Sequence, residues 1–130
     1  MSTPFAYDAA QDPPAPVVPV QVGLTTGGWS AALPFLVDTG ADMTVIPARL
    51  ARELELPPVG EVAVQGATGR RTRAPVYRAE LQLGEAVLPV PVAALGREML
   101  LGRDVLNRWT VVLRGPARVL EVETNTAEPP

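Results

Sequence analysis

Proline and glycine fall so regularly along this chain that no long helix fits between them. There are 15 prolines and 11 glycines among 130 residues, and a proline inside a helix removes a backbone donor and clashes with the turn before it. A helical bundle is excluded, and the chain reads as short strands joined by frequent turns. At 130 residues it is long enough for one domain with a hydrophobic core. Hydrophobic residues make up 47% of it and aromatics only 5%, so Val, Leu and Ala must build that core.

The polar, proline-rich residues 1–16 are expected as a flexible or extended N-terminal arm, 17–123 as the folded domain, and 124–130 as a frayed tail. Residues 17–24 and 29–37 read as a hairpin about Thr25-Thr26-Gly27-Gly28, and 43–46 as a short β-branched strand. Pro47 suits the first position of a helix that carries Leu50 and Leu54 one turn apart and is stopped by Pro57-Pro58. Strands are expected at 61–65 and 72–83 around a glycine-containing tip. Alternating Val and Pro mark 86–93 as an irregular or edge strand. A second short helix starts at Gly102, with Val105, Leu106 and Trp109 at helical spacing, and 110–114 and 118–123 form a closing hairpin. The expected fold class is all-β with one or two short helices.

What the chain lacks narrows its chemistry. It has no cysteine and no histidine, which removes thiol nucleophiles, disulfides, Ser-His-Asp and Cys-His mechanisms, and most zinc sites. Acid–base work is left to carboxylates, Tyr7, Tyr77 or arginine-assisted groups. All 11 basic residues are arginine, for which codon bias in a GC-rich genome is preferred over a functional reason, and the net charge is -3. With no basic stripe, nucleic-acid binding is disfavoured. No run approaches the ~18 apolar residues of a membrane helix, and the N-terminus has no signal-like segment. The expectation is a cytoplasmic protein with no membrane segment.

Within this background one run stands out: Phe35-Leu36-Val37-Asp38-Thr39-Gly40-Ala41-Asp42. An apolar strand delivers a carboxylate into a tight turn, a costly arrangement unless the acid is paired or hydrogen-bonded. One carboxylate cannot act as acid and base in a single encounter, whereas two sharing a proton can, as in the aspartic-protease dyad. The run occurs once in the chain. The simplest completion is a two-fold homodimer that brings Asp38 against Asp38 of a second copy.

This run, continued by Thr44-Val45-Ile46, resembles the catalytic segment of the retropepsins, the dimeric aspartic proteases of retroviral type. A second element, Leu100-Leu101-Gly102-Arg103-Asp104-Val105-Leu106, resembles the Gly-Arg-Asp/Asn segment that packs beneath the catalytic turn in that family. The resemblance covers roughly residues 17–123 and implies a closed, barrel-like acid-protease fold. It further implies an aspartic endopeptidase, active as a homodimer on extended peptide or protein substrates with apolar residues near the cut, using no cofactor and no metal.

The resemblance also assigns roles. Asp38 is the catalytic carboxylate, Thr39 sends its hydroxyl across the two-fold axis, and Gly40 leaves room beside the substrate. Ala41 and Asp42 face the substrate, and Asp42 pairs with Arg103, next to Gly102, in support of the site. Alanine at position 41, in place of a hydroxyl donor, implies a dyad less acidified than that of pepsin-type enzymes, working at mildly acidic to near-neutral pH. Gly66, Ala67, Thr68 and Gly69 form the flap tip, although Gly-Ala-Thr-Gly-Arg-Arg departs from the glycine-rich tip of retroviral enzymes. Arg70, Arg71 and Arg73 there fit either acidic substrate groups or a solvated hairpin edge, with the edge preferred. Val45 and Leu100 are pocket walls or core, and Leu50, Leu54, Leu106 and Trp109 are core. Two rival readings are a catalytically silent dimerisation or peptide-binding module of the same fold, and a structural β-domain in which Asp38 only caps a turn.

Overall fold

The computed structural model describes residues 2–65 and 68–124. Strands β1 (Thr3–Ala6), β2 (Val17–Gly23), β3 (Leu33–Val37) and β4 (Val45–Ile46) lead to helix α1 (Ala48–Glu53). There follow β5 (Pro58–Gln65), β6 (Arg71–Leu83), β7 (Ala86–Ala94), β8 (Leu100–Leu101) and helix α2 (Arg103–Leu106). Strand β9 (Trp109–Arg114), a short 3-10 turn and β10 (Val119–Thr124) complete the chain. The all-β reading holds, with two short helices as the only α-structure among the described residues.

The strands of the larger sheet run in the order β2-β3-β8-β4-β7-β6-β5, and a further β2–β6 pairing joins Gln21 to Gln82. That pairing closes β2, β3, β8, β4, β7 and β6 into a six-stranded barrel and leaves β5 outside the ring. Alternation along the strands fills the interior: Val18, Val20 and Val22 of β2 are fully buried with Phe35, Ile46, Leu81, Val92 and Leu101. With so few aromatics, the core is mostly aliphatic, as the composition requires.

A smaller sheet, β1-β10-β9, lies at the chain ends, with Thr3 opposite Val122 and Leu120 opposite Leu113. The N-terminal segment thus contributes a strand, β1, to this sheet. Trp109 is a correction to the sequence reading. Helix α2 is a single turn ending at Leu106, and Trp109 begins β9, from which it still packs half-buried against the core. The spacing of Val105, Leu106 and Trp109 suited both arrangements.

Pro47 precedes α1 as its extended N-cap instead of forming its first turn. Strand β7 pairs with β6 from Ala86 to Ala93 but reaches β4 only at Ala93 and Ala94. Over Pro89 and Pro91, which have no N–H to donate, it is therefore an edge strand, as the Val/Pro alternation suggested.

Candidate active site

Strand β3 ends at Val37, and the chain turns at once. The Asp38 N–H donates to the Leu101 carbonyl (3.1 Å), and the Asp38 carbonyl accepts from the Ala41 N–H (3.2 Å). The Asp38 carboxylate bends over its own turn, where Oδ1 accepts from the Gly40 N–H at 2.9 Å, an Asx turn of the kind Asp-X-Gly favours. Its Oδ2 has no partner among the described residues. A Cβ on Gly40 would lie 3.2 Å from Asp38 Oδ1, a tight contact that the carboxylate would have to shift by a few tenths of an ångström to relieve.

Arg103 braces this turn from α2. Its Nη1 donates to the Thr39 carbonyl at 2.6 Å, its Nη2 bonds Asp42, and its backbone N–H donates to the Ala41 carbonyl at 2.9 Å. The Arg103–Asp42 pair expected from the sequence is present. Its Asp42 side chain is 85% exposed, so the ion pair itself adds little stability, and the value of Arg103 lies in holding three points of one turn. Gly102 lets the two segments meet: a Cβ there would fall 2.4 Å from the Met43 carbonyl carbon.

A second lock was not read from the sequence. Thr44 is fully buried; its N–H donates to Asp104 Oδ2 at 3.0 Å and its hydroxyl to Asp104 Oδ1 at 2.8 Å. The same hydroxyl accepts from the Gly102 N–H at 3.2 Å, and Asp104 Oδ1 also takes the Val105 N–H at 2.8 Å. One carboxylate therefore pins β4 to α2 directly under the Asp38 turn. Asp104→Ala is expected to cost about 3 kcal/mol in chemical denaturation, since it strips a charged acceptor from buried donors. Asp104→Asn, which keeps one acceptor oxygen, should lose roughly half as much.

Above this floor is a cavity of about 600 Å³. Asp38, Gly40, Ala41 and Asp42 line it from the turn, Val45 and Leu100 from β4 and β8, and Val62 to Gln65 with Arg71 from the β5–β6 hairpin. Val45 and Leu100 face the cavity, while their neighbours Ile46 and Leu101 belong to the core, which is the period-two alternation of a strand. The hairpin closes at the Gln65–Arg71 pair, which brackets the expected flap tip. Gly66 and Ala67 lie outside the described residues. Thr68 and Gly69 are exposed and do not line the cavity, and Gly69 has the left-handed φ of +80° that suits glycine at a turn.

The three arginines beyond the tip have separate surroundings. Arg73 pairs with Glu61 across the hairpin at 3.0 Å, Arg71 lines the cavity, and Arg70 is exposed. Met43, Ala93, Leu95 and Glu98 also line the cavity and were not singled out in the sequence. No local signal marks them, because they converge only when the barrel closes. Leu50, Leu54, Leu106 and Trp109 are half-buried against the core, as expected.

Among the described residues no helix is long and apolar enough to cross a membrane. No curated protein sequence matches the chain. Among solved structures, it is similar to EIAV protease in complex with an inhibitor, at 20% identity and a TM-score of 0.59, over 79% of this chain and 92% of that one. It is also similar to a retropepsin-like aspartic protease from Rickettsia conorii, at 16% identity and a TM-score of 0.62, over 94% and 89% of the two chains. At these identities the likeness establishes the fold. The family described as "gag-polyprotein putative aspartyl protease" matches residues 30–108, a span from just before β3 to the end of α2. The chain thus belongs to the retropepsin-like aspartic proteases.

Proposed function

We propose that this protein is an aspartic endopeptidase that works as a homodimer. It hydrolyses peptide bonds in extended peptides with apolar residues near the cut. The carrying observation is Asp38 itself: its carboxylate lines a cavity of about 600 Å³, with Oδ1 fixed by the Gly40 N–H and Oδ2 without a partner among the described residues. In the proposed dimer Asp38 and the partner's Asp38 share one proton. The ionised member takes a proton from water as that water attacks the peptide carbonyl, and the protonated member gives its proton to the carbonyl oxygen. The carboxyl that took the water's proton then gives it to the amine nitrogen, the C–N bond breaks, and a hydroxyl of the gem-diol returns its proton to the other carboxylate, so that acid, amine and a singly protonated dyad result. The β5–β6 hairpin forms one wall, against which an extended peptide adds as a strand.

Two features support assembly. Thr39 is exposed, and its hydroxyl has no partner among the described residues, which leaves it available to a second copy. Strand β9, directly after α2, pairs on one side only among the described residues and exposes Val112 and Leu113 by 41% and 52%, an edge suited to pairing. Leu113→Asp is expected to weaken self-association at least about tenfold, read by sedimentation, because it buries a charge in an apolar contact. Unchanged association would remove β9 from the interface. The enzymatic reading is tested by cleavage-site profiling on a diverse peptide library, with Asp38→Asn alongside. If neither protein cleaves anything, the fold serves as a silent binding module.

A further inference from the structure

Two charged side chains in the cleft remain without a role once the Asp38 turn is accounted for. Glu98, in the loop leading into β8, and Arg71, at the tip end of the β5–β6 hairpin, both line the cavity. Elsewhere around it charge is matched, with Arg103 on Asp42 and Arg73 on Glu61. The side chains of Glu98 and Arg71 have no hydrogen bond or ion pair with any described residue, nor with each other. The Glu98 carboxylate therefore stands unneutralised in the wall.

Its surroundings decide what it suits. Val45, Ala93, Leu95 and Leu100 line the same cavity and give it an apolar surface. Asp38 and Asp42 belong to the turn and Arg71 to the hairpin, and an apolar wall that carries the Glu98 carboxylate complements a side chain that is aliphatic along its stem and cationic at its head. A purely aliphatic side chain would bury part of the wall while drawing water from the Glu98 carboxylate and giving it no partner. An acidic one would be repelled.

We infer that Glu98 makes this part of the cleft a subsite for arginine or lysine in an extended peptide. For turnover the inference rests on the peptidase reading, whereas for binding it needs only the cleft. In the proposed dimer each half brings its own Glu98, so the preference applies on both sides of the cut. Glu98 is exposed, so the expected discrimination is modest, about tenfold.

The test uses one apolar peptide sequence in which arginine, or its neutral isostere citrulline, is placed at each position in turn. Binding is measured on the Asp38→Asn protein, and kcat/KM on the unmodified protein. At one or two positions arginine should outperform citrulline about tenfold. Glu98→Gln should bring that ratio near one, and Glu98→Arg should shift the preference to glutamate at the same positions. The inference is overturned if no position favours arginine, if Glu98→Gln leaves the ratio unchanged, or if no peptide in the set binds. Arginine-selective binding without cleavage keeps the subsite and defeats the peptidase reading. Cleavage without arginine selectivity does the reverse.

Discussion

Asp38→Asn is expected to lower kcat/KM on any cleaved peptide by about a thousandfold or more, the range over which a positioned acid–base group acts. The substitution is informative because it changes so little else. Asn keeps an oxygen where Asp38 Oδ1 accepts the Gly40 N–H, and the bonds from the Asp38 backbone to Leu101 and Ala41 do not involve the side chain. The variant should melt close to the unmodified protein, so lost activity cannot be assigned to lost fold. Mixing the two proteins sharpens the result. If each site needs a carboxylate from both copies, an equal mixture at fixed total concentration retains about one quarter of the activity, because mixed pairs are dead. If each chain has its own complete site, about one half remains. A linear fall with the fraction of variant would show that Asp38 does not act as a shared dyad.

The elements legible in the sequence were those whose signals are local. The Asp-Thr-Gly turn announces itself because an apolar run feeds a carboxylate into turn residues, and β3 does end where that run does. The Gly102-Arg103 segment was legible by resemblance, and the structure joins it to the turn through Thr39, Ala41 and Asp42. Pairings between distant segments left no such trace. Gln21 opposite Gln82 closes the barrel, yet nothing in either strand names its partner. The Thr44–Asp104 lock spans 60 residues, and a threonine in a β-branched run is expected for strand propensity alone. Trp109 was misassigned because a one-turn helix is too short for periodicity to fix its end. Likewise Arg70, Arg71 and Arg73 read as one basic tip, and only strand register separates the residue in the cavity from the one paired to Glu61.

Gly102→Ala is expected to be the most damaging single-methyl change near the site. The added Cβ would sit 2.4 Å from the Met43 carbonyl carbon, 2.5 Å from its oxygen and 2.9 Å from the Thr44 nitrogen. All three are backbone atoms, so no side-chain rotation relieves the overlap, and β4 must move away from α2. That movement pulls on the bonds Thr44 makes to Gly102 and Asp104, which hold the floor of the cavity. A cost of about 3 kcal/mol is expected, at the upper end for overpacking a tight interior, and is checked by denaturant unfolding. A purely global effect is separated by Gly23→Ala, whose Cβ would meet the Gly28 carbonyl oxygen at 2.1 Å in the β2–β3 connection. Both variants should lose stability. Under conditions where each is folded, however, Gly23→Ala should keep its kcat per folded molecule, while Gly102→Ala should lose about a hundredfold. A displacement on the order of 1 Å beneath a catalytic group is enough for a loss of that size. Equal kcat in the two variants would mean that the Gly102 contact supports the barrel without setting the position of Asp38.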